Sequence, residues 1–114
     1  MPNKSPNILL ISIDSLRSDR LSCYGCGRET SPNLDLLARE GVAFDNTFTA
    51  ANWTGASLAS LLTGLYPTVH GYTNKYYYLD PDFITLAQIL REHGYQTLSF
   101  SNNMYVSSRT GLDR

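Results

Sequence analysis

Three polar residues, Asp14, Thr54 and Asn102, stand at places where chemistry is commonly assembled. Asp14 follows the apolar run that ends at Ile13, and Asn102 comes just after the run that ends at Phe100. Thr54 opens a segment with helical spacing. In open α/β sheets, ligands bind beyond the carboxyl ends of the strands, so residues at these equivalent positions can converge on one site. Each also has a plain alternative. Asp14 can be a polar stop after a buried strand, Thr54 a helix N-cap and Asn102 a turn residue.

Other reactive side chains make weaker patterns. Cys23 and Cys26 are spaced C-x-x-C, but a zinc ribbon needs a second such pair or two suitably spaced histidines. His70 and His93 stand far off and apart. Tyr24, Gly25 and Gly27 make this stretch a turn rather than the helix start of a thioredoxin-like motif, which leaves structural or incidental thiols as the better reading. His70 reads as structural, His93 as a helix C-terminal residue, and Arg17 as a solvated or loop-bracing residue with substrate contact as its alternative. The Tyr76-Tyr77-Tyr78 run reads as a packed or interface loop, with a cleft lining as its alternative.

The elements that would position these residues are set by periodicity. Residues 7–13 form a continuous apolar run, the pattern of a strand buried on both faces. Residues 42–49 alternate, and residues 96–100 read as a third strand. Ser31-Pro32 opens a helix with Leu34, Leu37 and Ala38 on one face and Gly41 at its end. A second helix is expected over residues 55–63, with a Leu58, Leu61 and Leu62 stripe, capped by Thr54 and ended by Gly64. A long loop is expected over residues 66–82. A third helix is expected over residues 85–93, with Leu86, Ile89 and Leu90 inward and Gly94 as its stop. The alternation gives an α/β class: a mainly parallel sheet with flanking helices.

Composition sets outer bounds. The 114 residues suit one small domain or part of a larger one. A hydrophobic share of 42% against 17% charged is globular rather than disordered. A net charge of -1, with both signs mixed along the chain, suggests no nucleic-acid or polybasic membrane surface. The apolar run at residues 8–13 is too short for a membrane span and lacks a cleavage site, so a cytoplasmic chain is expected.

Four blocks in order carry a family resemblance: NILLISIDSLRSDRLSCYG, SPNLDLLAREGVAFDNTFTA, SLLTGLYPTVHG and TLAQILREHGYQT. Together they resemble the opening of sulfatases, in the alkaline phosphatase superfamily. The resemblance implies an alkaline phosphatase-like three-layer sandwich, with residues 1–114 as the N-terminal part of a catalytic domain. It also implies Asp14 as a metal ligand. Counting back from LLTG, Thr54 falls where sulfatases carry the Cys or Ser that is oxidised to formylglycine. Thr cannot form that aldehyde, because its carbinol carbon bears a methyl group. The resemblance therefore implies Thr54 as an unmodified nucleophile and second metal ligand, with no formylglycine. The expected cofactor is a divalent cation: Ca, Mg, Mn or Zn.

Further departures concern the same site. Ser15 stands where the family has a second metal aspartate, and Ala56 and Leu58 replace the Pro and Arg of its signature. Asn102 replaces an expected Lys; its amide can contact substrate as an oxyanion donor does. The implied substrate is a small sulfate or phosphate ester. The family's remaining metal ligands and catalytic His lie far downstream of these motifs, so the 114-residue chain alone is expected to be inactive. It is expected to form a homo-oligomer, with residues 102–114 as the segment exchanged between copies. The alternative is a non-catalytic module acting through oligomerisation or a partner.

Overall fold

The computed structural model describes residues 5–73 and 75–114. It comprises four helices: α1 (Pro32–Glu40), α2 (Thr54–Thr63), α3 (Pro67–His70) and α4 (Leu86–Glu92). Two 3-10 turns, Ser18–Arg20 and Ser22–Tyr24, precede them. The chain divides into two compact units, a first reaching to Thr47 and a second, Phe48–Arg114.

The expected sheet is not there. Among the described residues no strand forms, which overturns the mainly parallel sheet and the three-layer sandwich expected from the sequence. Residues 7–13, 42–49 and 96–100 carry no helix and no ladder. Their apolar side chains face solvent: Leu9 is 84% exposed, Phe48 87% and Phe100 95%. An apolar run biases a segment toward extended backbone, but a strand exists only when a neighbour takes its N–H and C=O groups. Here none does.

In the first unit, a polar network replaces a core. Ser31 occupies the N-cap position of α1, yet its side chain does not cap that helix. Its Oγ accepts from the Ser22 N–H at 2.9 Å and donates to Asp35 Oδ1 at 2.9 Å. Asp35 Oδ1 also accepts from the Cys23 N–H at 2.9 Å. The hydroxyls of Ser22 and Ser31 and the Cys23 amide hold the Asp35 carboxyl below its usual range, against partial burial. The expected apolar face of α1 stays open, with Leu37 60% exposed.

The second unit has the core, built from Ala59, Tyr72, Leu79 and Leu112, with Trp53, Leu58, Leu62 and Phe83 packed against it. In α2 the buried face is Gly55, Ala56, Ala59 and Ser60, while Leu61 is exposed. Small residues let neighbouring segments approach the α2 backbone closely, which an apolar-stripe count overlooks. α4 has no buried residue, so Leu86, Ile89 and Leu90 do not form the inward face that their spacing suggests. It is fixed at its start instead. Thr85, fully buried, makes a reciprocal capping box with Gln88. The Thr85 hydroxyl also donates to the Arg114 carbonyl at 2.6 Å.

Residues 102–114 fold back as turns onto their own unit. The Leu79 N–H donates to Thr110 O at 2.8 Å, and the Arg114 guanidinium donates to the carbonyls of Leu79 and Asp80. Leu112 is buried beside them. No helix among the described residues is long and apolar enough to cross a membrane.

Candidate functional site

Thr54 is the first residue of α2 rather than its cap. Trp53 holds the N-cap position with extended backbone (φ -144, ψ 155) and makes no side-chain cap. Thr54 is half-buried. Being in the first turn, it lies at the positive end of a ten-residue helix, where an anionic group is favoured. The start of α2 is fixed tightly from behind. A Cβ on Gly55 would come within 2.5 Å of Tyr72 Cε1 and 2.6 Å of Trp53 Cζ3, so only glycine lets both rings close over the turn. On the other side, the Thr49 and Ser57 hydroxyls are 2.8 Å apart.

A buried histidine ties α2 to the chain just beyond α3. His70 is 2% exposed. Its Nδ1 accepts from the Tyr72 N–H at 3.1 Å, which leaves Nε2 as the protonated nitrogen, donating to Ser60 Oγ at 2.9 Å. Burial pushes its pKa below the ordinary value, opposed by its own backbone hydrogen bond. The structural role expected for His70 is the one it has. His93, at the C-cap of α4, lies 2.8 Å from Ile89 O through Nδ1.

Asp14 lies in the first unit, in an exposed turn. Its Oδ1 accepts from Ser15 Oγ at 3.4 Å. Ser15 has φ 59, a left-handed conformation uncommon for a residue with a side chain. Arg17 pairs with Asp19 at 2.6 Å on the surface. Asn102 is exposed in the second unit; beside it, Asn103 Oδ1 accepts from the Tyr105 N–H at 3.0 Å. Asp14 and Thr54 thus belong to separate units, and Thr54 and Asn102 to the same one.

The two metal ligands expected from the sequence, Asp14 and Thr54, fall in different units. Among the described residues, no group of three or more His, Cys, Asp or Glu could hold a cation. A hard divalent cation takes roughly six or more oxygen ligands. The Asp14 carboxylate and the Thr54 hydroxyl are each oxygen donors of the kind such a cation takes. Cys23 and Cys26 are free thiols, and the Cys23 thiol is pushed up by partial burial and by Asp35, which keeps it from being a ready thiolate.

Residues 6–114 match the family model for sulfatase. The chain belongs to the sulfatase family. It is 33% identical over 110 residues to N-acetylglucosamine-6-O-sulfatase of Bacteroides thetaiotaomicron, covering 96% of this chain and 20% of that protein. It is 38% identical over 105 residues to mouse steryl-sulfatase, covering 82% and 17%. With mouse iduronate 2-sulfatase it shares 42% over 96 residues, covering 82% and 17%. This sulfatase chain therefore spans about a fifth of the length of the curated relatives it matches. No solved structure gives a significant match.

Sequence reasoning missed one feature of this sulfatase chain. Trp53, next to Thr54, stands edge-on to Tyr77 at 5.7 Å and to Tyr105 at 6.0 Å between ring centroids, and tilted against Tyr72 at 5.7 Å. Tyr77 and Tyr105 also line a cleft of about 470 Å³ with Met104, Ser107, Arg109 and Thr110. The tyrosine run at 76–78 was the one visible signal; nothing in the local pattern around Trp53 or Arg109 pointed to it.

Proposed function

We propose that the whole protein hydrolyses or transfers a sulfate or phosphate ester, using Thr54 unmodified as its nucleophile, and that residues 1–114 are the N-terminal part of its catalytic domain. The observation that carries this is the place of Thr54: the first turn of α2, eight residues before Leu62-Thr63-Gly64, in a chain of the sulfatase family. That the relatives are sulfatases by name supports the ester class.

Thr54 Oγ1 would attack sulfur or phosphorus, breaking the ester bond to the alcohol, which leaves with one proton. The helix end favours the anionic oxygens during this step. Because Thr54 has a single hydroxyl, the covalent intermediate cannot collapse as a gem-diol ester would. Water must attack sulfur or phosphorus to release it, or a second alcohol must accept the group. Asn102 would donate its amide to a non-bridging oxygen. A divalent cation held by Asp14, Thr54 and residues outside this stretch would supply positive charge that favours the ionised hydroxyl.

Activity of the full-length protein on an aryl sulfate and on a bis-aryl phosphate tests this reading. Thr54→Ala should lose turnover of whichever ester the native protein cleaves, and Thr54→Ser should keep part of it. Full turnover in Thr54→Ala would overturn the nucleophile assignment.

A further inference from the structure

Residues 70–72 grip α2 at two places on one face. At its start, the Tyr72 ring lies against Gly55: a Cβ there would come within 2.5 Å of Tyr72 Cε1, 2.6 Å of Trp53 Cζ3 and 3.0 Å of Trp53 Cη2. Further along, His70 Nε2 and Ser60 Oγ are 2.9 Å apart, and the Tyr72 N–H donates to His70 Nδ1 at 3.1 Å. Gly55 and Ser60 both belong to the buried face of α2. Tyr72 is fully buried, its ring tilted against Trp53 at 5.7 Å between centroids. Among the described residues its hydroxyl has no hydrogen-bond partner. A buried phenol without a partner is disfavoured, so this ring is held by its packing and not by its hydroxyl. The backbone it packs on is the one that carries Thr54. Trp53 precedes Thr54 and opens the helical ladder, its carbonyl accepting from the Ser57 N–H at 3.1 Å; Gly55 follows Thr54.

We propose that Tyr72 is a positioning residue for Thr54: its ring, with that of Trp53, clamps Gly55 and holds the first turn of α2 in the setting that presents the Thr54 hydroxyl to the ester. The catalytic consequence rests on the reading of Thr54 as nucleophile; the clamp itself does not. The first turn of a helix is its least constrained, because its first four N–H groups take no intrahelical partner. Rings packed on that backbone supply the constraint from outside. Attack needs it: the reacting atoms must stand about 3–3.5 Å apart and aligned, and a misplacement of about 1 Å can cost about a hundredfold in rate. Carbon atoms in ordinary contact lie about 3.5–4.0 Å apart, so a methyl group at Gly55 would displace the rings or the turn by about 1 Å. The missing side chain at Gly55 is therefore matched to the two rings that close over it.

The test uses the full-length protein, with kcat and KM for whichever of the two esters it turns over and hydrogen exchange of the α2 amides from Ser57 onward. Gly55→Ala should lower kcat by about tenfold to a hundredfold and change KM little. Tyr72→Leu should act in the same way, and Tyr72→Phe, which keeps the ring and drops the hydroxyl, should recover the rate. Gly111→Ala, a destabilising change in the same unit that meets Leu79 rather than α2, should lower the thermal midpoint and leave kcat as it is. In Tyr72→Leu, exchange at the start of α2 should speed up with no ester present. That exchange result together with full turnover in Thr54→Ala would count against the Thr54 reading, not against the clamp. If Gly55→Ala does not fold, the two Tyr72 variants decide alone. A native kcat in Tyr72→Leu, a loss carried by KM, a loss that persists in Tyr72→Phe, an equal loss in Gly111→Ala, or unchanged exchange would overturn the positioning role.

Discussion

Replacing His70 should make the fold weaker and also remove a pH dependence. The imidazole is buried and satisfies two groups, the Tyr72 N–H through Nδ1 and the Ser60 hydroxyl through Nε2. Protonating Nδ1 would set two donors against each other, so the folded state needs the neutral ring. Burial holds the folded pKa below its ordinary value. The unfolded chain therefore binds more protons as pH falls below about 6.5, and stability must fall with it. The sign is fixed: stability from this group is present above the unfolded pKa and is lost as pH drops toward the lowered folded value, by at most about 1.4 kcal/mol per pH unit. His70→Leu leaves the Tyr72 N–H and the Ser60 hydroxyl unpaired at about 1–3 kcal/mol each, a loss of roughly 2–6 kcal/mol. His70→Asn can keep an acceptor near the Tyr72 amide and should lose about 1–2 kcal/mol. Urea unfolding of the full-length protein from about pH 5 to about pH 8, read as the difference between native and variant, isolates this residue from other histidines. Hydrogen exchange at the Tyr72 amide gives a local reading. A native-minus-Asn difference that stays flat across this range would refute the reasoning.

Two further outcomes are expected. Gly111→Ala should destabilise the second unit by about 1–3 kcal/mol, because φ is 69 there and the added Cβ would meet Leu79 O at 2.6 Å; a thermal melt of the full-length protein checks it, and an unchanged midpoint would contradict it. The 114-residue chain by itself should self-associate and show no metal-dependent ester turnover, since exposed apolar segments such as residues 7–13 favour covering by another chain at about 25 cal/mol per Å² and a hard cation takes more oxygen ligands than the one carboxylate and one hydroxyl proposed for it here; light scattering across a concentration series and an aryl sulfate assay decide, and a strict monomer or measurable turnover would contradict it.

Local signals were legible in the sequence where they depend on nearby residues. Pro32 and Gly41 bounded α1, Gly64 ended α2, and α4 began at Thr85, because caps and stops act over one turn. The family was legible because four blocks fell in order. The sheet was not. Ile8, Leu9 and Phe100 have strand composition, but a strand's state is set by partners distant in sequence, and here their side chains stay exposed. Helix faces were legible only in part: Leu58 and Leu62 of the expected α2 stripe pack against the core, but Leu61 is exposed and the small residues Gly55, Ala56 and Ala59 turn inward where the Trp53 and Tyr72 rings close on Gly55. The link from Thr54 through Trp53 to Tyr77, Tyr105 and Arg109 joins residues over fifty positions apart, and no spacing rule reaches that far.

The central claim is that Thr54 takes the ester group covalently and unmodified. The most direct measurement is mass spectrometry of the full-length protein after reaction with a slow phosphonate or phosphate ester, with the peptide carrying Thr54 sequenced before and after. An intact threonine before reaction, and an adduct on Thr54 after it that is absent in Thr54→Ala, is the expected result. An adduct on another residue, with activity retained in Thr54→Ala, would contradict the account.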